Sequence, residues 1–174
     1  MRNLAEKWPP MPDWDTAVID NGMLRIRTLR GLEQRLVSGD LAAWALASDM
    51  AGSGVGAGEV ARGDRYMVRI ARDRALAVSK PPLDIADGWH GQGFAVSVLD
   101  AGLHVFEIAG PGTAGLLARA TTLDPNGTSP SAAMLFADVP ALVYRHEGPE
   151  TVRVHVDRGL APYLWEWCLC GGAA

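Results

Sequence analysis

The spacing of apolar and polar positions changes several times along the chain, and each change marks an element. From Met23 to Thr28 the run Met-Leu-Arg-Ile-Arg-Thr alternates with period two, which predicts a strand with one wet face. Ser38, Gly39 and Asp40 offer helix N-cap choices before Leu41–Met50, a stretch rich in strong helix formers, so a helix follows. Glycine at 52, 54, 56 and 58 predicts a flexible connection over 51–58. Tyr66–Ile70 and Ala75–Ser79 read as short strands around the turn-prone Arg72-Asp73-Arg74, and Pro81-Pro82 ends this half.

The second half shows the same order. Phe94–Leu99 and Leu103–Ile108 are predicted strands hinged at Asp100-Ala101-Gly102, and the second runs into Gly110-Pro111-Gly112. Proline suits the first helical turn because its missing N–H is an orphan there, so Leu116-Leu117-Ala118 belongs to a short helix ending near Ala120. After the turn cluster Asp124-Pro125-Asn126-Gly127 come strands at Ala132–Ala137, Ala141–His146 and Thr151–Val156. The link Glu147-Gly148-Pro149-Glu150 makes the last two a hairpin, and a closing helix spans about Gly159–Leu169.

Both halves, about 21–90 and 91–174, thus read strand, helix, strands, with Leu24–Leu29 set against Leu103–Ile108. The expected fold class is α+β: two pseudo-repeated strand-helix-strand halves in one domain, built on mainly antiparallel sheet, with similarity in topology rather than in residues. Residues 1–20 stand apart as an extended arm, because Trp8-Pro9-Pro10-Met11-Pro12 removes donors and Trp14 follows at once.

Composition narrows the function classes. At 174 residues, 48% hydrophobic and 21% charged, the chain suits one folded domain able to bury a core without disulfides or metal. A net charge of −4 argues against nucleic acid as the main partner. No apolar run nears the roughly 20 residues a membrane helix needs, since Ser48 and Asp49 interrupt the longest. Residues 1–12 lack an apolar signal core, and Cys168 and Cys170 are too close for a bridge framework, so a cytoplasmic location is expected.

No motif supplies a complete active site. The glycines around 52–57 follow a helix and precede a strand, the reverse of a dinucleotide-binding turn. His90, His104, His146 and His155 have no metal-ligand spacing, and Cys168 and Cys170 would point to opposite sides of a helix. If His146 pairs with Thr151 in the hairpin, His155 falls opposite Leu142, so the two histidines cannot share a site. Asp84, Asp87, Asp100 and Glu107 are spread singly, as turn residues or solvated strand faces. Residues 62–80 hold six cations against Asp64 and Asp73, and read as a wet hairpin face that could also meet an acidic surface. No metal site, catalytic residue or cofactor-binding residue is therefore assigned to this chain.

The closing helix is the most informative element. At 100° per residue Leu160, Tyr163, Leu164 and Trp167 form one apolar stripe, while Trp165 and Leu169 fall on another side, and only Glu166 is charged. A helix apolar nearly all round must be covered twice. Its own sheet can cover one side; the other needs the N-terminal arm, a second copy of the chain or a foreign partner. The candidate partner surface is Tyr163, Leu164, Trp165, Trp167 and Leu169, with Trp8 and Trp14 from the arm.

Phe94–Trp167 also resembles a known family. Val98-Leu99-Asp100-Ala101-Gly102, Phe106-Glu-Ile-Ala-Gly-Pro111, Leu116-Leu117-Ala118, Thr122-Leu123-Asp124-Pro125, Phe136-Ala-Asp-Val-Pro140 and Tyr163-Leu164-Trp165-Glu166-Trp167 are similar to the γ subunit of heterotetrameric sarcosine oxidase. The first half matches only in its order of elements, and Arg65–Ile70 departs from the Gly-Pro-Asp-Glu-Trp pattern of that family. The resemblance implies a fold like the folate-binding domains of glycine cleavage T protein, and a noncatalytic subunit role in oxidative demethylation of sarcosine. FAD, FMN, NAD and tetrahydrofolate would then sit on larger partner subunits, and no catalytic residue is carried over. The alternative is a free-standing folate-binding or aminomethyltransferase-like protein, in which the cations of residues 62–80 could hold a polyglutamate tail.

Overall fold

The computed structural model describes residues 10–50, 52, 54–124 and 126–172. Among these residues twelve strands and three α-helices run β1 (Val18–Asp20), β2 (Arg25–Leu29), β3 (Glu33–Gly39), α1 (Leu41–Ser48), β4 (Val60–Ala61), β5 (Arg65–Ala71), β6 (Arg74–Ser79), β7 (Gly88–His90), β8 (Phe94–Val98), β9 (Leu103–Ala109), α2 (Thr113–Ala120), β10 (Ala133–Phe136), β11 (Val139–His146), β12 (Thr151–Asp157) and α3 (Ala161–Trp167). One sheet has the order β1-β2-β9-β12-β11-β10, with β4 added parallel to the end of β11. The second has the order β5-β6-β3-β8-β7. Apart from β4, every pairing of named strands is antiparallel, so the α+β class holds.

The molecule is layered helix, sheet, sheet, helix. The outer face of the first sheet (Ile26, Phe106, Ile108, Val152, Val154) packs on Leu116 and Leu117 of α2 and Leu164 of α3. The outer face of the second (Val37, Met67, Ala75, Phe94) packs on Leu41 and Trp44 of α1. Between the sheets lies a third cluster containing Tyr66, Val68, Leu76, Val78 and Tyr144. Two apolar faces per sheet explain why β6 is buried along Ala75–Ser79 instead of alternating.

The two halves are related strand by strand, by a different match from the one their sequences suggest. Exchanging β2, β3, α1, β5 and β6 for β8, β9, α2, β11 and β12 turns the order β2-β9-β12-β11 of one sheet into the order β8-β3-β6-β5 of the other. The counterpart of Leu103–Ile108 is therefore β3, not Leu24–Leu29. The repeat reaches single residues at the sheet-to-helix corners. Gly39 donates its N–H to the Asp73 carbonyl at 2.8 Å, and Gly110 donates to that of Glu150 at 3.1 Å. Both have positive φ, 106° and 127°, and a Cβ on either would strike a carbonyl oxygen, that of Gly93 or Met23. Asp40 then caps α1, its carboxylate accepting from the N–H groups of Ala42 and Ala43 at 3.0 Å.

Two further expectations change. Residues 54–58 are tied down: Val55 donates to Met67 O at 2.9 Å and accepts from Arg69 N–H at 2.7 Å, while Gly56 and Gly58 lie too close to the 127–130 backbone for a side chain. The later part of the arm is no free extension, since Val18–Asp20 forms β1 on the edge of the first sheet. Residues 62–80 carry the expected hairpin, β5 and β6, with Arg62, Arg65, Arg72, Arg74 and Lys80 exposed and Lys80 paired with Asp64 at 3.0 Å, while the other edge of β6 is covered by β3. The closing helix is a 3₁₀ turn at Arg158–Leu160, then α3, then a wider turn at Cys168–Gly172. No helix among the described residues is long and apolar enough to cross a membrane.

Candidate functional site

The closing helix is covered from two directions. Beneath it, Leu164 is 1% exposed against the first sheet. Above it, the arm returns: the Trp14 ring meets that of Trp165 edge-on at 5.8 Å, and Trp165 is only 7% exposed. Trp167 is half-buried, edge-on to Phe136 at 6.2 Å. Within the expected partner surface, Leu164 and Trp165 are thus satisfied by this chain itself, whereas Tyr163 and Leu169 stay 45% and 58% exposed. Trp8 lies outside the described residues. Tyr163 and Leu169 line a largely apolar groove of about 610 Å³ whose other wall is Pro10, Met11 and Pro12 of the arm. Tyr163 is anchored there by its hydroxyl, which donates to the Ala137 carbonyl at 3.1 Å.

The ionisable groups of the interior are tied to one another. Arg27, Glu107, Arg153 and Tyr144 stand side by side across β2, β9, β12 and β11. Glu107 accepts from Arg27 at 2.6 Å and from Arg153 at 3.2 Å. Burial acts to raise its carboxyl pKa, but the hydrogen bonds and charge of the two guanidiniums prevail and lower it. From Arg153 a one-way chain of donors crosses the gap between the sheets. Arg153 Nη1 donates to Tyr66 at 2.5 Å, Tyr66 to Tyr144 at 2.9 Å, and Tyr144 to His155 Nε2 at 2.7 Å. His155 Nδ1 donates to Gln34 Oε1 at 2.6 Å. This is the direction that satisfies every group with a neutral imidazole. Burial, aided by the Arg153 charge, drives the His155 pKa down to about 3. Burial likewise raises Tyr66 and Tyr144, the latter well above the ordinary phenol value.

Glu107 is therefore no solvated strand residue, and His155, at 1% exposure, is no surface histidine. The hairpin register is the expected one, with Leu142 opposite His155. His146 turns elsewhere, its Nε2 lying 3.2 Å from Gly63 O. No group of three or more His, Cys, Asp or Glu side chains suited to a metal ion occurs among the described residues. Cys168 is buried, which raises its thiol pKa to about 12, while Cys170 is exposed.

This architecture recurs in known enzymes. It matches a chain of the heterotetrameric sarcosine oxidase from Corynebacterium sp. U-96, solved in complex with pyrrole 2-carboxylate. The TM-score is 0.66 at 18% identity, over 86% of this chain and 84% of that one. It also matches aminomethyltransferase T of the glycine cleavage system from Bartonella henselae, at TM-score 0.54 and 15% identity. That match takes in 84% of this chain but only 45% of the enzyme, so the chain spans under half its length. The resemblance in fold read from Phe94–Trp167 extends over most of the chain. No family model matches the sequence. No curated protein matches it either.

Proposed function

We propose that the chain is a noncatalytic γ-type subunit of a sarcosine oxidase-like complex, serving oxidative demethylation linked to folate one-carbon metabolism. FAD, FMN, NAD and tetrahydrofolate would be carried by its larger partner subunits. The observation that carries this reading is reciprocal coverage: 86% of this chain accounts for 84% of a chain from a four-subunit oxidase, so like is matched with like in size as well as fold. Exposed Tyr163 and Leu169 beside the groove supply an apolar surface of the kind subunit contacts use.

The test is affinity purification of the tagged chain from its native host. The expected result is co-purification of flavin-containing chains with sarcosine-dependent oxidase activity. Recovery of the chain alone or as a homo-oligomer, with no flavoprotein, overturns the reading. Calorimetric titration of the isolated chain with tetrahydrofolate decides the rival: saturable heat would make it a free-standing folate-binding, aminomethyltransferase-like protein.

A further inference from the structure

On the other side of Trp14, where β2 parts from β9, a cleft of about 310 Å³ opens between the β2–β3 and β8–β9 turns. We propose that this cleft binds a small oxyanion, a carboxylate or phosphate group on a flat apolar body, between Arg30 and Arg158. Its size is at the lower end of the ~300–1,000 Å³ typical of ligand pockets. The inference does not rest on the subunit reading.

The cations are placed for this role, and the carboxylate that lines the cleft, Asp100, is turned to a backbone N–H rather than to either of them. Arg158 donates from Nη2 to the Asp100 carbonyl at 3.2 Å and has no carboxylate partner among the described residues. Asp100 also lines the cleft, but its Oδ1 is held by the Gln34 N–H at 2.5 Å. Arg30 meets Asp15 at 2.9 Å with both side chains well exposed, a kind of pair that contributes little and yields to a better-placed anion. The remaining wall is flat and neutral. The Trp14 ring lies 4.6 Å from that of His104, whose Nε2 is 3.1 Å from Thr28 Oγ1. Burial first, then the charges of Arg158 and Arg30, take the His104 pKa down to about 4, and the charges felt at its ring are both positive. An uncharged imidazole at neutral pH can hydrogen-bond a ligand oxygen without cancelling it.

The experiment is isothermal titration calorimetry of the full chain with benzoate and, separately, inorganic phosphate. Saturable millimolar or tighter binding of one of them is expected, and which one binds assigns the class, a carboxylate or a phosphorylated metabolite. Arg158→Gln and Arg30→Gln should each weaken it by about tenfold or more, as loss of a charge-assisted contact does. Asp15→Asn should tighten it by releasing Arg30. Lys80→Gln, which removes a cation far from the cleft in sequence, should leave it unchanged and controls for net charge. If Arg158→Gln misfolds, the exposed Arg30 and Asp15 variants decide. Absence of saturable heat with both probes, unaltered binding in Arg30→Gln, or an equal loss in Lys80→Gln overturns the proposal.

Discussion

Replacing Tyr144 by Phe removes one oxygen from the middle of the donor chain between the sheets and leaves the ring in place. Tyr144 is 1% exposed, and its hydroxyl joins Tyr66 at 2.9 Å to His155 Nε2 at 2.7 Å. Without it, Tyr66 still accepts from Arg153, but the buried His155 Nε2 loses its donor. A buried acceptor left unmade costs about 1–3 kcal/mol, and the preserved ring volume adds little cavity cost. The expected loss is about 2 kcal/mol, which for a domain of this size lowers Tm by about 4–8 °C. Urea unfolding and calorimetry at near-neutral pH measure both. Tyr66→Phe should cost a similar amount, because it takes the acceptor from Arg153 Nη1 and the donor from the Tyr144 hydroxyl, while Glu107 still holds the rest of the guanidinium. The double variant should fall short of the sum by more than ~0.5 kcal/mol, since the two residues share one chain. A Tyr144→Phe protein melting within about 1 °C of the parent would show that the chain contributes nothing to stability and would refute this account.

Acid should weaken the fold through the same chain. His155 binds its proton only near pH 3 in the folded state, against about 6.5 unfolded, so its contribution is whole above pH ~6.5 and falls as pH drops, by about 2 kcal/mol at pH ~5. Urea midpoints across that range check this, and the low pKa of Glu107 pushes the same way at lower pH. One thiol, Cys170, should react quickly with an aromatic disulfide reagent, while Cys168 should react only on unfolding. Gly110→Ala should lose at least ~2 kcal/mol, because it combines a positive φ with a collision against the Met23 carbonyl; the unfolding curve reads this directly. The double change Tyr163→Ser, Leu169→Ser should leave the isolated chain's Tm within about 2 °C yet abolish co-purification of flavoprotein from the host.

What could be read from the residues depended on where each side chain found its partner. The hairpin register of β11 and β12 was legible because alternation and a short link determine it together, and Leu142 does face His155. The corner at Gly110 was legible from Gly-Pro-Gly before Leu116-Leu117. Its twin at Gly39 was half seen, as a helix cap, because β3 before it reads Glu-Gln-Arg-Leu-Val-Ser-Gly and looks polar. Those polar groups are used inside: Gln34 accepts from His155, and Arg35 bonds Glu33 and the Ile85 carbonyl. A polar β3 leaves Leu24–Leu29 as the more visible match to Leu103–Ile108, although the fold sets β3 in that place. Glu107, Arg153 and Tyr66 come from distant parts of the chain, and one-dimensional spacing carries no trace of their meeting. The surplus of apolar surface on the closing helix is legible in its all-round pattern, and the arm with Trp14 is one of the covers that pattern allows; the choice among them is made by the path of the chain, which brings Trp14 onto Trp165.

Each sheet draws strands from both halves: β8 joins the second sheet against β3, while β2, with β1 beside it, and β4 join the first sheet against β9 and β11. These partners of β2 and β3 are thus encoded after residue 93, so the N-terminal portion alone presents two rows of unmated amides. Splitting the gene between the halves would yield fragments that are each insoluble by themselves and complement one another when co-produced, a reconstitution in which neither piece has a native state of its own.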